Sequence, residues 1–204
     1  MAISIVGTCA VIINECQRGV IEPSSGGFAA LVEQVEKRGI VPRIAALADD
    51  FRAAGQPVIH LPIAHRPDFA DVQPNSLLAA LARKNRFLVA GSTEAEIVDA
   101  LTPAPGDFVV TRSSGLIGFL GTPLDAMLRR MQVGTVVLAG VSTNVAIAGC
   151  AMIATELGYN VIVAEDCIAA SDPATHETII ASQLRMVARI ASGAEISVAL
   201  KPTA

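Results

Sequence analysis

Leu138-Ala-Gly-Val-Ser-Thr-Asn-Val-Ala146 is the stretch on which the reading of this chain turns. An apolar, β-branched run (residues 135–141, TVVLAGV) passes through Gly140 and the polar trio Ser142, Thr143 and Asn144 into an Ala-rich segment extending to about Leu157. Strand, turn and helix in that order is the building unit of an α/β sheet. Hydrolytic α/β enzymes commonly place a nucleophile at such a turn. Here the residue at the helix start is Ala146, which has no reactive atom.

The same alternation recurs on either side. Residues 9–15 (CAVIINE) read as a first buried strand, 17–27 as a polar, Gly-rich loop, and 57–62 (PVIHLP) as a second strand. Pro42 opens a helix to about Ala54, closed by Gly55. A long loop (64–75) leads to a helix capped by Ser76, and residues 107–112 (DFVVTR) form the third strand. Thr122-Pro123-Leu124-Asp125 is a helix start with a Thr cap, Pro at the first position and a carboxylate behind it. Residues 160–165 (NVIVAE) make the fifth strand. Asp172-Pro173 opens a helix to about Ile190, and 195–200 read as a last strand. The alternation implies an α/β fold with a mainly parallel sheet and helices on both faces.

A chain of 204 residues is the size of one such domain, and no linker or repeat divides it. The 52% hydrophobic content fits strands buried on both faces and covered by Ala-rich helices. Only 3% of residues are aromatic and the net charge is -4, which argues against nucleic acid as a partner. Residues 132–155 carry no charge and reach the roughly two dozen residues of a spanning helix. Gly134, Gly140, Ser142, Thr143, Asn144 and Gly149 interrupt that run, so strand, turn and helix describe it better than a membrane span. Cys9, Cys16, Cys150 and Cys167 lie in apolar surroundings without a C-x-x-C pair, as expected of reduced thiols in a cytoplasmic protein. No signal peptide is evident before Glu15.

Ligands of parallel sheets bind at the carboxyl ends of the strands, near the point where strand order reverses. The candidates at those ends are Glu15 and Gln17, His60 and His65, Arg112 with Ser113 and Ser114, Ser142 to Asn144, and Glu165 with Asp166. A carboxylate ending an apolar strand is costly unless partnered or used, so Glu15 is either a site residue or an acceptor for a helix N-terminus. Arg112 is either a site cation or the partner of Glu15 or Asp107. Ser142, Thr143 and Asn144 suit a turn and cap, and equally a nest of N–H groups for an anion or oxyanion. His60 reads as a core histidine, His65 as a loop residue able to reach the pocket, and His176 as solvent-facing. His60 and His65 lack a third ligand for zinc, so neither metal nor cofactor is expected. Cys150 follows Ala146 by one turn and is either an inert buried thiol or a displaced nucleophile.

Taken together, the chain resembles the isochorismatase-like hydrolase superfamily, which includes nicotinamidases and carbamoylsarcosine amidohydrolases. The resemblance runs over nearly the whole chain. It is carried by Ile12-Ile13-Asn14-Glu15-Cys16-Gln17, by Arg112 followed by Gly118-Phe119-Leu120-Gly121-Thr122-Pro123-Leu124-Asp125, and by Gly140-Val141-Ser142-Thr143-Asn144-Val145-Ala146. Leu157-Gly158-Tyr159 and Glu165-Asp166-Cys167 complete it. It implies a three-layer α/β/α, Rossmann-like fold with a central sheet of about six mainly parallel strands, a non-proline cis peptide before Ser142, and a homo-oligomer, dimer or tetramer.

The family's catalytic Asp, Lys and Cys correspond to Glu15, Arg112 and Ala146. Glutamate keeps proton transfer but reaches further, arginine keeps charge but holds its proton, and alanine removes the nucleophile. The resemblance therefore implies a hydrolase of a small metabolite that works without a cysteine. Vinyl-ether hydrolysis of the isochorismate type is one such reaction, with Glu15 as general acid or base and Arg112 binding an anion. Gln17, His65, Ser113, Phe119, Ser142, Thr143 and Asn144 are the expected substrate-binding residues. The alternative is a catalytically silent family member that binds a small molecule or serves in an assembly.

Overall fold

A computed structural model describes residues 3–22 and 28–200. In chain order its elements are β1 (Thr8–Asn14), α1 (Arg18–Ile21), α2 (Ala29–Arg38), α3 (Ile40–Ala53), β2 (Val58–Leu61), α4 (Leu77–Asn85), β3 (Phe108–Val109) and α5 (Leu124–Arg130). There follow β4 (Val133–Val141), α6 (Ala148–Glu156), β5 (Asn160–Ala169), α7 (Pro173–Ile179), α8 (Arg185–Val187), β6 (Arg189–Ala191) and α9 (Gly193–Leu200).

The six strands form one sheet in the order β3-β2-β1-β4-β5-β6, and every pairing is parallel. The α/β reading is borne out. Because side chains alternate across a strand, β1 feeds two cores. Cys9, Val11 and Ile13 pack with Leu31 and Val35 of α2, Ile44 and Leu47 of α3 and Ile196 of α9. Ala10 and Ile12 pack on the other face with Leu124 and Leu128 of α5 and Ala148, Cys150 and Ala154 of α6. Each Ile or Leu so enclosed contributes about 1.5–3 kcal/mol, and this two-sided burial is why the strands read as unbroken apolar runs.

Strand order reverses between β1 and β4, the two strands that run longest together, with Thr8–Asn14 beside Val133–Gly140. At their carboxyl ends the backbones nearly touch. A Cβ on Gly140 would lie 2.1 Å from the Asn14 carbonyl oxygen, and its φ is +99°. Gly140 thus lets β4 close on β1 and deliver residues 141–146 beside Glu15.

Several boundaries differ from those the sequence predicts. The helix from Asp172 does not reach Ile190; it passes through a π-helical turn at Ile180–Leu184, ends with α8, and gives way to β6. Residues 195–200 are helical rather than extended, because Ser192 and Glu195 form a reciprocal cap: the Ser192 N–H donates to Glu195 Oε2 (2.9 Å) and the Glu195 N–H to Ser192 Oγ (3.3 Å). The loop after Gln17 holds the short α1, and its residues 23–27 lie outside the described ones. The Pro42 helix begins earlier, at Ile40, where Gly39 in the left-handed region turns the chain from α2. The third strand is reduced to two residues, with Arg112 held by a separate bridge to Ile63. Among the described residues no helix is long and apolar enough to cross a membrane.

Candidate active site

Glu15 follows the last residue of β1 with φ at +51°, a left-handed conformation uncommon for a side chain of its size. The turn is held at both ends: the Glu15 N–H donates to the Leu61 carbonyl (3.2 Å) and the Glu15 carbonyl accepts from Gln17 N–H (2.9 Å). Its carboxylate accepts a hydrogen bond from Arg112 Nη2. Arg112 is buried, with Nε directed at the Gly115 carbonyl (3.4 Å), whereas Nη1 is buried without a partner among the described residues. Asp107, the other partner considered for Arg112, is engaged elsewhere: Arg52 holds both its oxygens (3.1 and 2.7 Å) and His60 lies 3.4 Å away.

Two influences compete for the Glu15 proton. Arg112 and His65 favour the charged form, while burial disfavours it. Burial is the largest influence, and the carboxyl is raised above its ordinary value of 4.5.

His65 is buried at the edge of this pair. Its N–H donates to the Leu88 carbonyl (2.8 Å), its carbonyl accepts from Ala90 N–H (2.8 Å), and its Nδ1 lies 2.7 Å from the Ser113 carbonyl. A carbonyl can only accept, so Nδ1 carries the proton and a neutral ring keeps its lone pair on Nε2. Ser113 Oγ donates to Asp71, tying the 64–75 loop to the segment after β3.

Across the strand-order reversal stands the β4 turn. The Val141–Ser142 peptide is cis, as the resemblance implies. Residues Thr143–Ile147 form a π-helical turn leading into α6, and the N–H groups of Val145 and Ile147 both donate to the Ser142 carbonyl (3.2 and 3.1 Å). Thr143 and Ala146 are buried, whereas Asn144 is exposed. Residues 113–121 lie over this turn: a Cβ on Gly149 would meet Ile117 Cδ1 at 1.9 Å, so that the missing side chain makes the seat for Ile117. Phe119 is buried beside Tyr159, with ring centroids 6.1 Å apart. A crevice reaching Glu15 between Ile13, Cys16, Leu61 and Ile97 is too small to admit a water molecule.

Two expected binding residues are occupied by the fold itself. Gln17 is fully buried; its amide donates to the Ile63 and Ala95 carbonyls (2.7 Å each) and accepts from Ile63 N–H (2.8 Å). Phe119 belongs to the core beneath α6.

Cys150 does not offer a displaced nucleophile. It is fully buried, its thiol donates weakly to Asn14 Oδ1 (3.6 Å), and burial pushes its pKa up to about 11. Almost no thiolate exists at neutral pH. Among the described residues no cluster of three His, Cys, Asp or Glu side chains is placed to hold a metal.

The structure corrects the expectation for one histidine. His176 is buried, not solvent-facing, and its Nδ1 shares a 2.9 Å hydrogen bond with Thr143 Oγ1. The signal for it is the spacing His176, Ile180, Leu184, an i, i+4, i+8 stripe whose three members are all buried.

Comparison with known proteins bears on the family and the fold. The isochorismatase domain family matches residues 9–195. The chain is 30% identical over 200 residues to the isochorismatase family protein YecD of Escherichia coli O157:H7, covering 95% of this chain and 96% of that protein. It is 35% identical over 120 residues to the ureidoacrylate amidohydrolase RutB of Methylorubrum extorquens, covering 53% of this chain and 48% of that one. Among solved structures, an isochorismatase family protein from Desulfovibrio vulgaris superposes with a TM-score of 0.84 at 31% identity, covering 96% of this chain and 99% of that one.

Proposed function

Because this chain belongs to the isochorismatase family, we propose that it is a hydrolase of a small anionic or carbonyl-bearing metabolite that works without a cysteine nucleophile. In this reading Ala146 stands where the family's cysteine would attack, so a covalent thioester route is closed. Glu15 does the proton work instead. The observation that carries the reading is the raised pKa of Glu15 despite its pairing with Arg112. Burial pushes the Glu15 carboxyl toward its acid form, the direction a general acid requires.

A vinyl ether of the isochorismate type suits this chemistry. Glu15 protonates the terminal alkene carbon, producing an oxocarbenium ion that water attacks. The adding water gives one proton back to Glu15, and the resulting hemiketal then breaks its C–O bond, its hydroxyl proton passing to the departing oxygen, to release pyruvate and an alcohol. Arg112, whose Nη1 is buried and unpartnered, pairs with the substrate carboxylate.

Pyruvate release from isochorismate by the purified protein, measured beside Glu15→Ala, tests the reading. Release that disappears in the variant supports it. Release that persists in the variant excludes Glu15 as the acid, and no release from either removes this substrate.

A second reading, a silent member that binds rather than cleaves, is favoured by the tight packing at Glu15, where the crevice admits no water. Ala146→Cys separates the two. A thiol that alkylates faster than the four native cysteines points to an accessible, electropositive site; an inert thiol in the folded variant points to a closed one.

A further inference from the structure

On the far side of β4 from Glu15, a cavity of about 300 Å³ opens at the carboxyl end of β5, walled by Arg38, Glu165, Asp166, His176, Glu177 and Arg185 among others. This is the lower end of the volumes that hold small ligands. Two irregularities of the backbone shape it. Leu138 pairs with Val163 but Gly140 pairs with Ile168, so residues 164–167 bulge out of the ladder with β4, with Ala164 still paired to β6, and Glu165 and Asp166 enter the wall. The π-helical turn at Ile180–Leu184 supplies Ile180 and Ala181 opposite.

The charges around the cavity are unevenly committed. Asp166 is satisfied, accepting from Gly193 N–H (2.7 Å) and pairing with Arg43 (3.2 Å). Among the described residues Arg38 reaches only backbone carbonyls, those of Ile168 (3.3 Å) and Glu165 (3.5 Å). Arg185, Glu165 and Glu177 have no ion-pair partner among the described residues. Two guanidinium groups and two carboxylates therefore line one small space without an ion-pair partner among the described residues. A polyanion would meet three carboxylates there and a polycation two arginines. A molecule carrying one charge of each sign satisfies both sets.

We propose that this cavity is a second ligand site, separate from Glu15 and Arg112, that takes a small zwitterion of the amino-acid type. Its carboxylate is held by Arg38 and Arg185 and its ammonium by Glu165 and Glu177. The buried ring of His176 forms part of the wall, and its Nδ1 is bonded to Thr143 in the turn after Ser142. Occupancy is thereby linked to the loop that flanks Glu15 through a single buried hydrogen bond.

The test is a nuclear magnetic resonance titration of the full chain with β-alanine, followed at the His176 side chain and the Thr143 amide. Propionate and ethylammonium serve as half-ligands. The expected result is a saturable shift at both positions with β-alanine and none with either half-ligand at equal concentration. Arg185→Gln and Glu177→Gln, both exposed and remote from Glu15, should each weaken binding several-fold, while Glu15→Gln leaves it unchanged. Absence of saturation up to tens of millimolar overturns the proposal. So does saturation by one half-ligand alone, or binding indifferent to Arg185→Gln and Glu177→Gln. None of these readouts depends on hydrolytic activity.

Discussion

Glu15 and Arg112 are joined at the ends of β1 and the β3 segment, the cation 4% exposed and the carboxylate 20% exposed. The pair spans 97 residues of sequence and links two strands that are not neighbours in the sheet. Its geometry is that of a buried ion pair, but its balance is unusual, because burial outweighs the attraction and raises the carboxyl.

That imbalance has a measurable consequence for stability. Glu15 titrates at 4.5 when exposed and higher when folded, so the folded state binds more protons between those two values. Its contribution to stability is complete below 4.5 and is lost as pH rises through the folded value. Glu15→Gln lacks the titration. The difference in unfolding free energy, wild type minus Glu15→Gln, should fall with rising pH above 4.5 and then level off. Urea unfolding across that range measures it, and a difference that climbs with pH would mean that Arg112 dominates.

Removing the cation should cost more than removing the carboxylate. Arg112→Met leaves Glu15 buried without its counter-charge, and breaking a buried pair from one side costs about 3–5 kcal/mol at neutral pH. The cost should shrink in acid, where Glu15 becomes neutral. Unfolding midpoints at two pH values decide this; a loss independent of pH would assign the damage to packing instead.

The α/β alternation and the positions of Glu15, Arg112 and Ser142 to Ala146 were legible because strands buried on both faces write themselves as apolar runs ending in polar residues. What was not legible depended on partners distant in sequence. His176 sits in a segment, PATHETI, whose polarity suggests solvent; only packing of α7 against the Thr143 turn buries it. The segment ISVAL has strand-like composition yet folds as the terminal helix, because the Ser192-to-Glu195 spacing is that of a helix cap. The occupation of Gln17 by backbone groups near residues 63 and 95 has no sequence signal.

The Thr143–His176 bond should be worth about 1–3 kcal/mol, because Thr143→Val leaves a buried ring nitrogen without a partner. Thr143→Ser should recover most of it. Burial also lowers the pKa of His176 below 6.5, so the unfolded chain takes up a proton that the folded one refuses. Stability should drop as pH falls below 6.5, and His176→Asn should reduce that slope. His60, lowered by burial in the same way, supplies a second contribution, so that the double variant should reduce the slope further than either single one. A slope unchanged in His176→Asn would place the titration elsewhere.

Two glycines beside the site should respond very differently to an added methyl group. At Gly140 the new Cβ would lie 2.1 Å from a backbone oxygen of β1, and the +99° φ is itself unfavourable for alanine. Neither obstacle can move without parting β1 from β4, so Gly140→Ala should cost about 3 kcal/mol or more and lower the soluble yield. At Gly149 the obstacle is Ile117 Cδ1 at 1.9 Å, the far end of a partly exposed side chain that can rotate away. Gly149→Ala should therefore cost about 1–2 kcal/mol and expel Ile117 from its seat over α6. Urea midpoints rank the two variants. Equal losses would show that the 113–121 segment is held as rigidly as the sheet, and that it does not yield to admit a ligand.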